Sequence, residues 1–257
     1  MIRYWYFGYS RLLAIVFLAV VLSSCATTKA PKPGGVQTVT YDSPAIPGPH
    51  PREVYHTVAP GETLWRIAQM YNVDMEKIKK ANRVNNVQDI DIGSKLYIPG
   101  ASPRKNVVTL YPNTKWKYII VHHSATDMGS SQQFHYAHKK KGWEAIGYHF
   151  VIDNGSAGKD KGQIETSPRW IKQQNGAHCR AGGMNENGIG ICLVGNFSND
   201  KVSPQQMDSL VRLVKELKRY YKIPSSNIMG HGQVPGAATE CPGKKFPWSE
   251  FWAKVGR

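Results

Sequence analysis

The sequence predicts an α/β protein, in which a mixed central β-sheet flanked by helices follows a small βααβ unit. Three apolar runs, at Tyr118–His122, Gly147–Ile152 and Ile189–Val194, are typical of buried strands. Ser203-Pro204-Gln205-Gln206 has the pattern that begins a helix, and the apolar residues after it recur at helical spacing. Residues 54–99 have the patterns of a strand, two short helices and a second strand, which indicates the βααβ unit.

The N-terminal segment has the pattern of a secretory signal. Leu12–Leu22 is an unbroken apolar run that is too short to cross a bilayer comfortably. The tetrad Leu22-Ser23-Ser24-Cys25 ends this run and resembles the lipobox of bacterial lipoproteins, whose cysteine receives lipid. We therefore predict a lipoprotein signal peptide over residues 1–25 and lipidation at Cys25. A plain secretory signal with an incidental cysteine is the alternative.

A lipid at Cys25 predicts the protein's location. We expect it in the bacterial cell envelope, anchored to a membrane and facing the periplasm or the cell wall. If the cell is Gram-negative, Ala26 favours the outer membrane, because lipoproteins retained at the inner membrane usually have Asp at this position.

The chain is strongly basic, with 33 Lys and Arg residues against 18 Asp and Glu and a formal net charge of +15. Such a charge favours polyanionic partners: nucleic acid, anionic lipid or the acidic polymers of a cell wall. The predicted export and the lack of a recognisable nucleic-acid motif argue against nucleic acid. The run Lys139-Lys140-Lys141 is interpreted as a solvated helix face.

Two segments are predicted to be linkers. Residues 26–53 are rich in Pro, Gly, Thr and Ser and have no apolar periodicity, so we expect a flexible linker. Residues 100–115 form a second, shorter joint. The chain thus divides into the signal peptide, a linker, a compact domain at 54–99, the second linker and a larger domain at 116–257.

The compact domain carries four recognisable pieces, namely Tyr55-His56-Thr57-Val58, Gly61-Glu62-Thr63-Leu64, Ala81-Asn82 and Gly93-Ser94-Lys95-Leu96-Tyr97-Ile98-Pro99. Together they resemble the LysM module over its whole length. The resemblance implies binding to glycan that contains N-acetylglucosamine. It also implies that the loop after the first strand, with Gly61 and Thr63, forms part of the binding groove. A LysM fold that has lost binding is the alternative.

The larger domain brings the candidate chemistry. Its conspicuous pieces are Val121-His122-His123-Ser124-Ala125-Thr126, Gly147-Tyr148-His149-Phe150, Gly176-Ala177-His178, Gly230-His231-Gly232 and Thr239-Glu240-Cys241-Pro242-Gly243. They offer histidines at strand ends and a cysteine in a Gly/Pro-rich loop. Zinc prefers such nitrogen and sulfur ligands, and a catalytic site uses three of them. Spacing alone leaves zinc and ordinary surface or core histidines as equal alternatives.

From about residue 116 to 250 the chain resembles the type-2 amidase family, which phage amidase-lysozymes and peptidoglycan recognition proteins share. Further matching pieces are His138 before Gly142-Trp143, Arg169-Trp170, Gly188-Ile189-Gly190-Ile191 and Gly195-Asn196-Phe197. The resemblance implies a zinc-dependent N-acetylmuramoyl-L-alanine amidase. Such an enzyme hydrolyses the amide bond between N-acetylmuramic acid and the L-alanine of the peptidoglycan stem peptide.

Residue roles follow from this resemblance position by position. His122, His231 and Cys241 correspond to the three zinc ligands, and Tyr148 corresponds to the catalytic tyrosine close to the metal. His178 is a candidate to share proton handling and oxyanion stabilisation with Tyr148, or else it lines the cleft. His123 should point to the opposite face of the strand from His122.

Thr239 departs from the phage enzymes, which have a lysine two residues before the ligand cysteine. The sequence Thr239-Glu240-Cys241-Pro242-Gly243 instead resembles the catalytically active recognition proteins. A hydroxyl donates a hydrogen bond but adds no positive charge, so we interpret Thr239 as a catalytic helper. A disulfide between Cys179 and Cys192 and a buried free thiol at Cys192 remain equal alternatives.

A second function is compatible with most of these features: a non-catalytic peptidoglycan-binding receptor or wall anchor. Members of the family that only recognise peptidoglycan commonly lack the ligand cysteine, and Cys241 is present here. The amidase is therefore favoured. We expect peptidoglycan, through both its glycan strand and its stem peptide, and a membrane as partners, no nucleic acid, Zn²⁺ as cofactor, and a monomer.

Overall fold

The structure, a computed structural model, describes residues 35–42 and 53–256. The predicted signal peptide, the lipidation site Cys25 and most of the predicted first linker lie outside the described residues. No helix within the described ranges is both long enough and apolar enough to span a membrane.

The described strands are β1 (Gln37–Asp42), β2 (Val54–Thr57), β3 (Lys95–Ile98), β4 (Lys105–Leu110), β5 (Tyr118–His123), β6 (Phe150–Asn154), β7 (Lys161–Thr166), β8 (Gly188–Leu193) and β9 (Ile228–Gly230). The described α-helices are α1 (Leu64–Tyr71), α2 (Met75–Asn82), α3 (Ser131–Lys140), α4 (Pro168–Ile171), α5 (Met184–Asn187), α6 (Pro204–Tyr221) and α7 (Trp248–Val255). Short 3-10 turns lie at Ala181–Gly183, Ser225–Asn227 and His231–Gln233.

The small domain has the predicted βααβ order, in which β2 pairs with β3 in an antiparallel ribbon under α1 and α2. Thr63 begins α1 by accepting a hydrogen bond from Arg66 N, and Asp74 begins α2 in the same way from Glu76 N and Lys77 N. Fully buried Leu64, Ile67 and Ile78 lie in its core. The two helices therefore close over one face of the ribbon.

The large domain contains a five-stranded sheet in the order β7-β6-β8-β5-β9. β5 runs parallel to β8 and β9, β6 runs parallel to β8, and β7 is antiparallel to β6. The sheet is therefore mixed, and with helices against it the predicted α/β class is confirmed. Ser203 and Gln206 form the predicted capping box of α6.

The two faces of this sheet have different contents. Alternate residues of β5 and β8, such as Val121 and Ile191, point into a large apolar core that α6 covers. The opposite face carries His122 and its register partner Cys192. Phe134 of α3 packs on this second face against Val151. The candidate site therefore lies on the face of the sheet opposite the core that α6 covers.

The prediction of two linkers is wrong where β1 and β4 form. These strands pair with each other in an antiparallel ribbon, from Gln37 opposite Leu110 to Asp42 opposite Lys105. Thr38 and Thr40 obscured the alternation of β1, in which Val39 and Tyr41 face inward against the large core. The backbone N–H and C=O groups of this short segment form hydrogen bonds with a strand that is distant in sequence. Local composition does not show such pairing.

Candidate metal centre

His122 occupies the C-terminal part of β5, where strand alternation turns it away from the apolar core. Its side chain is buried, with 1% exposure. The neighbouring His123 points to the opposite face, where its Nδ1 accepts a hydrogen bond from Phe197 N at 3.1 Å. The two adjacent histidines therefore point to opposite faces of the sheet, as predicted.

His231 and Cys241 come to His122 from the chain after β9. Because β9 runs parallel to β5, the turn at its C-terminal end places His231 beside the end of β5. The following loop folds back so that Gly232 N donates to Cys241 O at 2.7 Å. A Cβ at Gly232 would lie 2.3 Å from Thr239 O, so this close approach requires glycine.

The three predicted ligands meet in one cluster. The candidate ligand atoms of His122, His231 and Cys241 all lie within 4.8 Å of one another. His122 Nδ1 and Cys241 Sγ are 3.6 Å apart, and His123 N donates to Cys241 Sγ at 3.3 Å. No other group of three or more possible ligands occurs within residues 35–42 and 53–256.

This cluster fits a zinc ion. A tetrahedral zinc at about 2.1 Å from nitrogen and about 2.3 Å from sulfur holds those two atoms about 3.6 Å apart. The observed separation of His122 Nδ1 and Cys241 Sγ is the same. Two imidazoles and one thiol leave one tetrahedral position free, as catalytic zinc sites require.

A chain of hydrogen bonds fixes which nitrogen His122 presents. The carbonyl of Gly188 can only accept, so His178 Nε2, at 3.1 Å, donates to it. A neutral His178 then accepts at Nδ1 from His122 Nε2, which is also 3.1 Å away. His122 therefore carries its proton on Nε2 and directs the free lone pair of Nδ1 toward Cys241.

Burial keeps both members of this pair neutral. Burial lowers the pKa of His178 to about 4 and the pKa of His122 well below its ordinary value. The structure thus places His178 behind His122, with both ring nitrogens engaged. It does not present a free nitrogen to a substrate, unlike the proton-handling role considered from the sequence.

Tyr148 lies beside His122, with the two ring centres 5.2 Å apart. Burial, with the nearby thiols of Cys192 and Cys241, raises the pKa of Tyr148 well above its ordinary value. The phenol therefore stays protonated and can donate a hydrogen bond. His138 Nδ1 accepts from Gly147 N at 3.0 Å and so fixes the chain just before Tyr148.

Thr239 has a local role in the loop that carries the thiol. Its Oγ1 accepts a hydrogen bond from Cys241 N at 3.2 Å, and the residue is exposed. This bond holds the backbone of the ligand cysteine. The hydroxyl hydrogen is not used by this bond, and a catalytic helper role for Thr239 stays a prediction.

The other two cysteines within the described residues are free thiols. Cys179 and Cys192 are both buried and unbridged, so no disulfide joins them. Cys192 was not predicted to lie at the metal centre, but it has a side-chain hydrogen bond with Tyr148 and a charge interaction with Cys241. The register of β8 with β5 pairs Cys192 with His122. This register cannot be read from the sequence, so the position of Cys192 was not predicted.

The small domain carries a groove of about 560 Å³. Its lining residues are Glu62, Thr63, Leu64, Trp65, Met75, Val87, Gln88 and Ile90. Predicted Thr63 therefore lines the groove. Gly61 is not among the lining residues, and a Cβ there would lie 2.8 Å from Ile171 Cδ1 of α4. The indole of Trp65 is 47% exposed at this groove.

A mixed β-sheet that carries a partly buried His–His–Cys cluster beside a tyrosine is an arrangement typical of metallohydrolases. Residues 112–244 match the N-acetylmuramoyl-L-alanine amidase family, and residues 56–99 match the LysM domain. The chain therefore belongs to the N-acetylmuramoyl-L-alanine amidase family. It is a peptidoglycan amidase with a glycan-binding LysM domain.

Relatives with this domain come from phages, insects and bacteria. The chain is 32% identical to an endolysin of Enterobacteria phage K11 over 54% of its own length and 85% of the relative's. It is 32% identical to peptidoglycan-recognition protein SC1a of Drosophila melanogaster, with 52% and 71% covered. The solved structure of N-acetylmuramoyl-L-alanine amidase LysC from Clostridium intestinale URNW is 34% identical, with 56% and 88% covered and a TM-score of 0.47.

Proposed function

We propose that this amidase is zinc-dependent and that it hydrolyses the bond between N-acetylmuramic acid and the L-alanine of the stem peptide. The observation that carries the proposal is the convergence of the ligand atoms of His122, His231 and Cys241 within 4.8 Å. The retained cysteine argues against the alternative of a receptor that only binds peptidoglycan. Zinc, when bound, polarises the substrate carbonyl and activates water for attack on it.

Residues around the cluster donate hydrogen bonds to the substrate and position the metal ligands. The protonated Tyr148 donates a hydrogen bond to the oxygen that gains negative charge when the amide carbonyl is attacked. Thr239 holds the backbone of Cys241 and offers a second donor at the rim of the cleft. His178 acts as a positioning residue, because its acceptor nitrogen fixes the tautomer of His122.

The LysM domain supplies affinity for the glycan. The groove at Thr63 and Trp65 is concave and mostly apolar, with the exposed indole available to the apolar face of a sugar ring. We therefore assign N-acetylglucosamine-containing glycan to this groove. Gly61 supports it indirectly, by letting the loop approach α4 closely.

The proposal includes a location and a domain arrangement. Residues 1–25 act as a lipoprotein signal peptide and Cys25 carries the lipid, which anchors a monomeric enzyme to a membrane, the outer one in a Gram-negative cell. The LysM domain at 54–99 and the amidase domain at 116–257 face the peptidoglycan. The net charge of +15 supports this location, because the envelope presents anionic polymers.

The zinc proposal is tested by metal content and hydrolysis together. Wild type should hold one zinc per chain and release peptide from a disaccharide-peptide, and Cys241→Ser should lose most of both. Cys179→Ser is the matched control, because the serine hydroxyl can still donate to Ala181 O, as the Cys179 thiol does. Wild type that binds peptidoglycan without zinc and releases nothing would favour the receptor instead.

A further inference from the structure

The β1–β4 ribbon belongs to two apolar cores at once. Val107 of β4 is buried in the LysM core, whereas its neighbour Val108 and then Leu110 are buried in the amidase core. Arg66 of α1 donates from Nε and Nη2 to Val107 O, at 3.0 and 2.7 Å. A LysM domain that moved away from the amidase domain would break both bonds and expose the valine to water.

The ribbon is also fixed to the edge of the large sheet. Asn106 of β4 is 1% exposed and replaces a neighbouring strand for part of β7. Its Nδ2 donates to Gly162 O at 3.3 Å, and its Oδ1 accepts from Ile164 N at 2.8 Å. The backbone groups that an edge strand would leave unpaired are satisfied here by one amide side chain.

Buried charges extend this junction beneath the loop after β2. Lys159 Nζ lies 2.8 Å from Glu165 Oε2 and donates to Thr57 O of the LysM domain at 3.4 Å. Lys159 is 8% exposed and Glu165 is fully buried. Buried charges are tolerated only while their partners stay in place, so movement of the LysM loop would disturb this pair. We call Arg66, Asn106, Val107, Lys159 and Glu165 the seam.

The surface between groove and metal centre follows α3. At one end a Cβ on Gly93, in the LysM loop beside the groove, would lie 2.5 Å from Gln132 Nε2 of α3. At the other end the ring centre of His138 lies 5.8 Å from that of Tyr148 at the metal centre. Exposed apolar side chains accompany this path, namely Ile92 at 43%, Tyr136 at 49% and Trp143 at 40%.

We infer that the LysM groove and the metal centre hold one glycan strand at a fixed spacing, with the strand lying along α3 between them. This inference rests on the proposed function, because it takes cleavage at the metal centre as given. A disaccharide-peptide reaches only the metal centre, whereas a longer strand reaches both sites. Longer strands should therefore be the better substrates per cleavable bond.

A flexible tether would also favour longer strands, so the seam must be perturbed to separate the two arrangements. Arg66→Met removes both hydrogen bonds to Val107 O and keeps the apolar stem of the side chain. Lys79→Met is the matched control, since the half-buried Lys79 forms its ion pair with the exposed Glu76 of the same helix, α2, and not with a seam residue. Neither residue lies in the groove lining or at the metal centre.

The test compares kcat/KM of the full chain on a disaccharide-peptide and on uncross-linked strands of several disaccharides. Wild type and Lys79→Met should favour the strands by roughly tenfold or more per bond. Arg66→Met should lose most of this preference while its turnover of the disaccharide-peptide stays within twofold. Its binding of an N-acetylglucosamine oligomer, which reports a folded LysM domain, should match wild type.

A second measurement uses wild type alone and does not depend on how the variant folds. Strands labelled at the reducing end should show no cuts within a constant number of disaccharides of one end, because the groove needs that length of strand beyond the cut. Evenly distributed cuts, or an Arg66→Met preference equal to wild type, would overturn the fixed spacing. Failure to cut even the disaccharide-peptide would instead overturn the proposed function.

Discussion

The bond between His178 and His122 is the feature of the metal centre whose removal has the most defined consequence. In His178→Leu no acceptor faces His122 Nε2, because His122 is 1% exposed and His178 fills the space behind it with 8% exposure. In His178→Asn the side-chain oxygen takes nearly the position of the lost Nδ1 and can still accept the hydrogen bond. The two variants therefore separate loss of the acceptor from loss of the ring.

The expected loss of zinc affinity follows from the single hydrogen bond at 3.1 Å between the His122 and His178 rings. A buried donor left without a partner costs about 1–3 kcal/mol. Since about 1.4 kcal/mol corresponds to tenfold in an equilibrium constant, zinc affinity should fall by roughly 5- to 150-fold in His178→Leu. Substitution of outer partners of metal ligands typically has effects of about 10- to 100-fold.

The assay is competition for zinc between each purified variant and a chromophoric chelator at fixed pH. We expect His178→Leu to bind zinc at least fivefold more weakly than wild type and His178→Asn to stay close to it. Unchanged zinc affinity in His178→Leu, or equal losses of affinity in both variants, would show that the acceptor nitrogen of His178 does not orient His122. Equal losses would show that the ring matters through its packing and not through its acceptor nitrogen.

Three further predictions test other parts of the structure. Gly190→Ala should weaken zinc binding as His178→Leu does, because the new methyl would lie 2.5 Å from the His178 ring; unchanged affinity measured by competition would contradict this. Burial and the neighbouring Glu165 raise the pKa of Asp153 well above its ordinary value, so Asp153 is neutral. Asp153→Asn should therefore lower the free energy of unfolding in urea by no more than about 1 kcal/mol. Glu165→Gln breaks a buried ion pair and should lower it by about 3–5 kcal/mol. Equal losses in the two variants would contradict the assignment of a neutral Asp153. Trp65→Ala should reduce retention on insoluble peptidoglycan by about tenfold, and a sedimentation assay showing full retention would remove the indole from the binding groove.

Much of the candidate site could be predicted from the sequence because its residues belong to short motifs. His122 ends an apolar run, and strand alternation alone separates it from His123. His231 and Cys241 stand in Gly- and Pro-rich pieces that favour a loop. The structure brings these three ligands together as expected, and the choice of metal remains a prediction.

The roles of His178 and Cys192 depended on information that local sequence does not contain. Only the register of β5 with β8 places Cys192 opposite His122. Likewise, the carbonyl of Gly188 sets the tautomer of His178, and that carbonyl is invisible in the residue types. Sequence motifs therefore identified the ligands but not the groups that orient them.

The linker prediction failed for a related reason. Residues 26–53 have the composition of a tether, yet β1 forms within them because β4 offers a complementary edge 63 residues or more away in sequence, from Asp42 to Lys105. Val107 and Val108 then bury on opposite sides of β4 in two different cores. Non-local pairing of this kind also explains why the LysM domain is joined to the amidase domain by more than a linker.

Zinc-dependent cleavage of the bond between N-acetylmuramic acid and L-alanine can be identified from its products. The most direct measurement is mass analysis of the products that zinc-loaded and chelator-treated enzyme release from a purified disaccharide-peptide. We expect a free peptide that begins with alanine and an intact disaccharide with a free lactyl carboxylate, formed only with zinc. Cleavage within the peptide or between the sugars, or the same products after zinc removal, would contradict this expectation.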